Sequence, residues 1–273
     1  MDTAQDTAQD DAVQHAAERL RHADSVHRPC DSISDVIGAD LAAAYAVQRL
    51  VTELQVIGGA VPWGRKALGL ALTHGGPSIV AGRLVDTMVV RDEEHVTGRD
   101  LVQPRVAVRV TVRLVRDLPA GASLQQAHDA VGAVGAALEM ADLRVSTDQA
   151  TAADIVADNV GAGLVILGPE RSPRESPGPW SARVLRDGEP SAPAVEVTWD
   201  DTIGRLVELA TVVEEHGQPL RAGEIVLLDS FGTAVPLTGD GRYAAEVDGR
   251  VVASLRFGAS RPARPGDLAE EMS

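Results

Sequence analysis

Two residue types occur once each in this chain, and both fall where chemistry is plausible. Lys66 is the single lysine among 25 lysines and arginines, and Asn159 is the single asparagine. A composition biased toward Arg, Ala, Val and Gly leaves such residues mainly where geometry or chemistry needs them. Lys66 follows Gly64-Arg65 and precedes an apolar stretch. Its ammonium either orients a carboxylate and stabilises an enolate oxygen, or is kept for packing or a surface pair. Glu139 sits in the apolar run ALEM. A buried carboxyl has a raised pKa and suits general acid–base work, whereas a neighbouring arginine makes it a structural carboxylate. Arg109 has three open placements: a bidentate contact to a substrate carboxylate, a static pair with Glu139, or the surface. Asp158-Asn159 either positions water or a carbonyl, or caps a turn.

The elements that must position these residues show in the pattern. From Arg105 to Leu114, valines and a leucine alternate with Ala107, Arg109, Thr111 and Arg113, the period of a strand with one apolar face. Residues 39–57 have helical spacing and end at Gly58-Gly59. Ser123 is expected to cap a helix running to about Leu138. VGAGLVILG at 160–168 reads as a buried strand, 168–180 as a Pro-rich loop, and 203–216 as an amphipathic helix. Strands are expected around 181–199 and over 224–229, 242–248 and 250–257. Strands outnumber helices without βα alternation, which favours an α+β class. By segment, 1–16 is expected to be a disordered acidic tail carrying the DTAQDTAQD repeat, although a short helix fits 11–22. Residues 17–60 form an N-terminal helical region, 61–260 the core and 261–273 a loose tail.

Composition excludes several classes. A net charge of −15 is unsuited to sequence-independent nucleic-acid binding. One cysteine, Cys30, excludes an internal disulfide and a cysteine-rich zinc site. No apolar run approaches the roughly 20 residues of a membrane span, and the N-terminus lacks the pattern of a signal peptide, so a cytoplasmic location is expected. The histidines have no metal-ligand spacing, Gly161 and Gly163 lack the wider dinucleotide fingerprint, and no serine lies in G-x-S-x-G.

Six segments in order resemble the fumarylacetoacetate hydrolase superfamily, in its 2-keto-4-pentenoate hydratase and 4-oxalocrotonate decarboxylase branch. They are AAAYAVQ (42–48), GRKALGLALTH (64–74), QPRVAVRV with RDLP (103–119), ALEMADLR (137–144), ADIVADN (153–159) and PLRAGEIVL (219–227). The resemblance implies a mixed β-roll with flanking helices, assembly as a homo-oligomer, and Mg²⁺ or Mn²⁺ held by three carboxylates against a 2-oxo acid. It places the lysine of GRK and the acid of the ADN motif near that pocket. Counted from Gln103-Pro104-Arg105, two ligand positions fall on Ala107 and Arg109, and only the third, Glu139, remains. A guanidinium has no lone pair to give, so no family-type metal site and no cofactor are expected. In LLDSFGTAV (227–235), Leu228 and Asp229 stand where the family has a Thr-Gly pair that contacts substrate, which makes Asp229 and Ser230 candidate substrate contacts. His74 matches a Thr-His seen in part of the branch and either lines the pocket or sits on an exposed loop.

The expectation is therefore a metal-independent relative of the hydratases. Lys66, Glu139 and Asp158 are its candidate catalytic residues, and Arg109, Asn159, His74, Asp229 and Ser230 its candidate substrate contacts. The substrate would be a small oxo acid or enolisable carbonyl compound. The alternatives are a catalytically silent homologue that serves an active partner subunit, or a metal enzyme with ligands recruited from Asp229 and Asp158.

Overall fold

The computed structural model describes residues 3–70, 79–148, 150–175, 178–232 and 234–258. Three helices lead the chain: α1 (Thr3–Val26), α2 (Ser34–Ile37) and α3 (Leu41–Ile57). There follow β1 (Pro62–Gly69), β2 (Ile79–Val85), β3 (Glu94–Thr97) and β4 (Pro104–Leu114), then α4 (Leu124–Ala130), β5 (Val131–Asp142), α5 (Ala152–Ala157) and β6 (Leu164–Leu167). The last part holds β7 (Trp180–Arg186), β8 (Glu189–Pro190), β9 (Val195–Val197), α6 (Trp199–Glu215), β10 (Ile225–Ser230), β11 (Val235–Pro236), β12 (Gly241–Val247) and β13 (Arg250–Gly258). The class is α+β, as the sequence implies. Among the described residues, no helix is long and apolar enough to cross a membrane.

The larger sheet has the order β2-β1-β10-β4-β5-β6, with β11 beside β4. It curls back on itself where the Val90 amide, just beyond β2, donates to the Val165 carbonyl of β6 at 3.0 Å. The smaller sheet runs β3-β13-β12-β7-β8, with β9 on β7. Because side chains alternate along strands, register sorts the larger sheet into two faces. On one, Val106, Val108, Val110, Val112 and Leu114 join the main core. On the other, Lys66 aligns with Leu227, Leu227 with Thr111, and Ala107 with Glu139. A small apolar cluster of Leu84, Ala137, Ala162, Val165, Ile225 and Leu227 fills that second face.

Two expectations are corrected. The helix capped by Ser123 has its capping box, with Gln126 as the reciprocal partner, but it ends at Ala130 rather than near Leu138. Residues 131–142 instead pair with β4 along its length. Glycine explains part of this: a Cβ at Gly135 would lie 3.1 Å from both the Pro169 carbonyl and Thr111 Oγ1. The ladder outweighs the helix propensity of the alanines. The expected disordered tail over 1–16 is helical from Thr3. Ala16, Ala17, Leu20 and Ala23 form a buried stripe in the core, on a helix that packs against α3, so the acidic repeat extends a helix anchored further along. The buried strand expected at 160–168 is confined to β6. His74 and the tail over 261–273 lie outside the described residues.

Asp154 joins the N-terminal segment to the core. It is fully buried. Its carboxylate accepts from the Ile33 amide, Ser32 Oγ and the Thr151 amide, each at 2.8 Å. Burial pushes its pKa up, but the bonds from Thr151, Ser32 and Ile33 outweigh that and hold the carboxyl below its ordinary range. A depressed folded-state pKa stabilises above the unfolded value of ~3.9 and loses that contribution as pH falls through the folded value. Asp154→Ala is expected to lose about 3 kcal/mol at neutral pH, because several buried donors lose their acceptor. The gap between wild type and variant in urea midpoints should narrow below about pH 4. A gap constant from pH 7 to pH 3 would contradict this account.

Candidate active site

Three strands bring three charges together. Lys66 from β1, Arg109 from β4 and Glu139 from β5 are 1%, 4% and 0% exposed. Lys66 Nζ lies 2.5 Å from Glu139 Oε1, and Arg109 Nε donates to Glu139 Oε2 at 2.6 Å. Two cations against one carboxylate leave one surplus positive charge in an apolar setting. Burial pushes the Glu139 carboxyl up, but Arg109 and Lys66 together overcome it and hold it below the usual carboxylate range. Burial pushes the Lys66 ammonium down to about 8, with Glu139 pulling it up and Arg109 pushing it further down. Of the three placements open to Arg109, the structure has the buried pair with Glu139.

Lys66 makes a third contact, donating to the Val160 carbonyl at 2.7 Å. That carbonyl belongs to a turn in which Asn159, Val160 and Gly161 all have φ between 52° and 60°. A β-branched residue rarely adopts this conformation, and it persists only where surroundings hold it. Here Asn159 Nδ2 donates to the Arg83 carbonyl and Asn159 Oδ1 accepts from the Arg83 amide, both at 2.7 Å. The turn presses so closely on β2 that a Cβ at Gly82 would lie 2.7 Å from the Asn159 carbonyl. Asn159 is thus a strut for the turn. Asp158 is engaged by Arg144, whose Nε and backbone amide each reach its carboxylate at 2.5 Å. Burial pushes the Asp158 carboxyl up against the pull of Arg144.

The residues at this site do not match the donor set of the divalent ion implied by the resemblance. Ala107 offers no donor, Arg109 brings a cation, and both Glu139 oxygens face cationic nitrogens. Among the described residues, no group of three acidic, histidine or cysteine side chains is placed to hold a metal. A divalent ion wants several hard oxygen ligands, and this set does not fit it. Cavities among the described residues lie elsewhere, and two of them bear on the site. One of about 330 Å³ is lined by Val110, Trp180, Phe231, Arg171 and Arg250 among others. The second, of about 360 Å³, is lined by Asp158, Asn159 and Arg144 beside α1 and α3. Neither is lined by Lys66, Arg109 or Glu139.

No family model matches the chain. Individual relatives do. A 2-keto-4-pentenoate hydratase from Dechloromonas aromatica is 31% identical over 263 residues, covering 87% of this chain and 94% of the relative. The chain belongs to the fumarylacetoacetate hydrolase superfamily, in its 2-keto-4-pentenoate hydratase branch. A hydratase of the same name from Burkholderia vietnamiensis is 28% identical over 262 residues, covering 88% and 95%. The 4-oxalocrotonate decarboxylase of Pseudomonas putida G7, solved with magnesium and adipate, shares the fold at a TM-score of 0.79 and 22% identity, covering 90% of this chain and 97% of that one.

Within this branch, the candidates expected from sequence separate into groups. Lys66, Arg109 and Glu139 meet. Asp158 and Asn159 flank the turn whose carbonyl Lys66 holds, facing other partners. Asp229 and Ser230 belong to β10, with Ser230 opposite Arg109 in register, and their side chains are outside the description. Arg144 and the Val160 carbonyl were not expected. Arg144 carried a signal, lying in ALEMADLR, but the carbonyl carried none.

The charge count gives an ordered prediction. Glu139→Gln leaves two buried cations without a counter-charge and is expected to lose about 3–5 kcal/mol. Lys66→Met leaves the neutral Glu139–Arg109 pair and should lose much less. Urea unfolding of the two variants tests this, and equal losses would contradict it.

Proposed function

We propose that this chain is a hydratase-type lyase that acts on a small 2-oxo acid, or the enol of one, through an enolate and without a divalent ion. The observation that carries this reading is the buried Lys66–Glu139–Arg109 cluster with its surplus positive charge. An anionic substrate supplies the missing counter-charge. In an environment of low dielectric, fixed cations stabilise a developing oxyanion strongly. In this reading Arg109 and Lys66 turn from Glu139 to the substrate carboxylate and the enolate oxygen, and Glu139, no longer held ionised by them, accepts a proton. Hydration, tautomerisation, decarboxylation and ring closure all pass through such an enol, and the family relationship favours hydration.

Closure of the cluster favours a second reading. All three side chains are nearly inaccessible, and Lys66 and Arg109 occupy Glu139 as a plug would. A silent subunit that supports an active hydratase or decarboxylase would have this geometry.

Turnover of 2-hydroxypenta-2,4-dienoate, followed by loss of its ultraviolet absorbance, separates the readings. Metal-free catalysis predicts turnover unchanged by EDTA or added Mg²⁺, with kcat falling about 100-fold or more in Lys66→Met. Turnover that requires Mg²⁺ would overturn the metal-free mechanism. No turnover, together with co-purification of a relative that keeps all three carboxylates, would establish the silent subunit instead.

A further inference from the structure

A second set of charges lies on the opposite face of β1 and β2 and has no place in the chemistry above. Arg65 and Arg83 are direct cross-strand partners in the β1–β2 pair. Like charges directly opposite each other repel, so an arginine pair at this register needs something between them. Arg65 is 7% exposed. Its Nη2 lies 3.4 Å from Glu224 Oε1, and its Nη1 donates to the Gly64 carbonyl at 3.4 Å, both long contacts. Its Nε is buried and has no acceptor among the described residues. The same holds for the Nε of Arg83. Buried guanidinium nitrogens are nearly always hydrogen-bonded, and an orphan at such a site signals a missing partner. Here the two orphans belong to residues paired across adjacent strands.

The surroundings set the sign of that partner. Arg49 on α3 adds a further positive charge near Arg83, while Glu53 and Glu224 are the acids acting on it. Glu215 also acts alongside Arg49 on His216, so the two orphaned guanidinium nitrogens, rather than a surplus of charge, are what call for an acceptor. Arg83 is only partly buried and Arg49 is exposed, so the site opens to solvent beside α3. A guanidinium recognises an oxyanion by two parallel N–H bonds, a geometry shared by carboxylate and phosphate.

We propose that Arg65 and Arg83, with Arg49 at the rim, form a binding site for a small oxyanion, a carboxylate or a phosphate, separate from the Lys66–Glu139–Arg109 cluster. The anion accepts from the orphaned nitrogens and screens the cross-strand repulsion. Its binding stiffens the β1–β2 pair from the face opposite Lys66.

Titration of the full chain with inorganic phosphate and, separately, with acetate tests the site, at ionic strength held constant with NaCl. The readouts are thermal unfolding and calorimetry. Saturable binding with a rise in Tm is expected for at least one anion, and the arm that responds identifies the source. Arg83→Met should weaken that binding about 10-fold or more, and Arg49→Met should weaken it several-fold, while the exposed Arg256→Met leaves it unchanged. Absence of saturable binding by either anion would overturn the proposal, as would binding unaltered in Arg83→Met. Should Arg83→Met fail to fold, unaltered binding in Arg49→Met overturns it equally.

Discussion

A single carboxylate facing two cations inside an apolar sheet sets the terms for the rest of the structure. Glu139 cannot be protonated cheaply while Lys66 and Arg109 face it, and neither cation can be left without it. Because charge-assisted hydrogen bonds need close and well-aligned partners, the strands that carry the three groups must keep their register. Ala107 lies opposite Glu139, and Arg109, two residues along the same face of β4, reaches its carboxylate. Arg109 is the cation that faces Glu139 from β4. It is tethered by its own backbone and cannot exchange with solvent.

Around this cluster the structure spends local strain to hold a main-chain carbonyl in place. Three successive residues in the left-handed region would not persist on their own. They persist because Asn159 bonds both backbone groups of Arg83 and Lys66 reaches the Val160 carbonyl. Asp158, next in line, does not join the cluster; it fastens the same turn to Arg144. The ADN segment is thus a rigid support in this chain. Asp154, earlier in the same segment, performs the equivalent task for the N-terminal helices.

Much of this arrangement is legible from residues alone, and the gaps have physical causes. The alternation of β4 is visible because every second residue is a valine or leucine, and α3 because its apolar residues recur at helical steps. The residues leave three placements open for Arg109, and only the family resemblance, which puts Arg109 and Glu139 at positions of one ligand set, brings the two together. The change from α4 to β5 was not legible: alanines and glycines around 131–137 carry no strong period, and the strand forms because β4 offers a partner. The helix fits the sequence over 11–22, but its extension through the acidic repeat was missed because that stretch is polar and adds no apolar period of its own. Lys66 as a partner of Glu139 depends on register across β10, which no local pattern encodes.

The position of β10 has a consequence for how the chain is made. This strand lies between β1 and β4 in the sheet, although it is formed from residues 225–230, long after both neighbours in the sequence. Until it is inserted, the strands bearing Lys66 and Arg109 have no common edge, and their charges stay hydrated. A nascent chain emerging from the ribosome can therefore form the β4–β5 ladder that carries Arg109 and Glu139, but keeps Lys66 apart from them through most of its synthesis. Desolvation of those groups waits for a non-local pairing, which forms late in folding. Chains that stop short of residue 225 lack the central strand, and their unpaired β1 and β4 edges mark them for aggregation or removal.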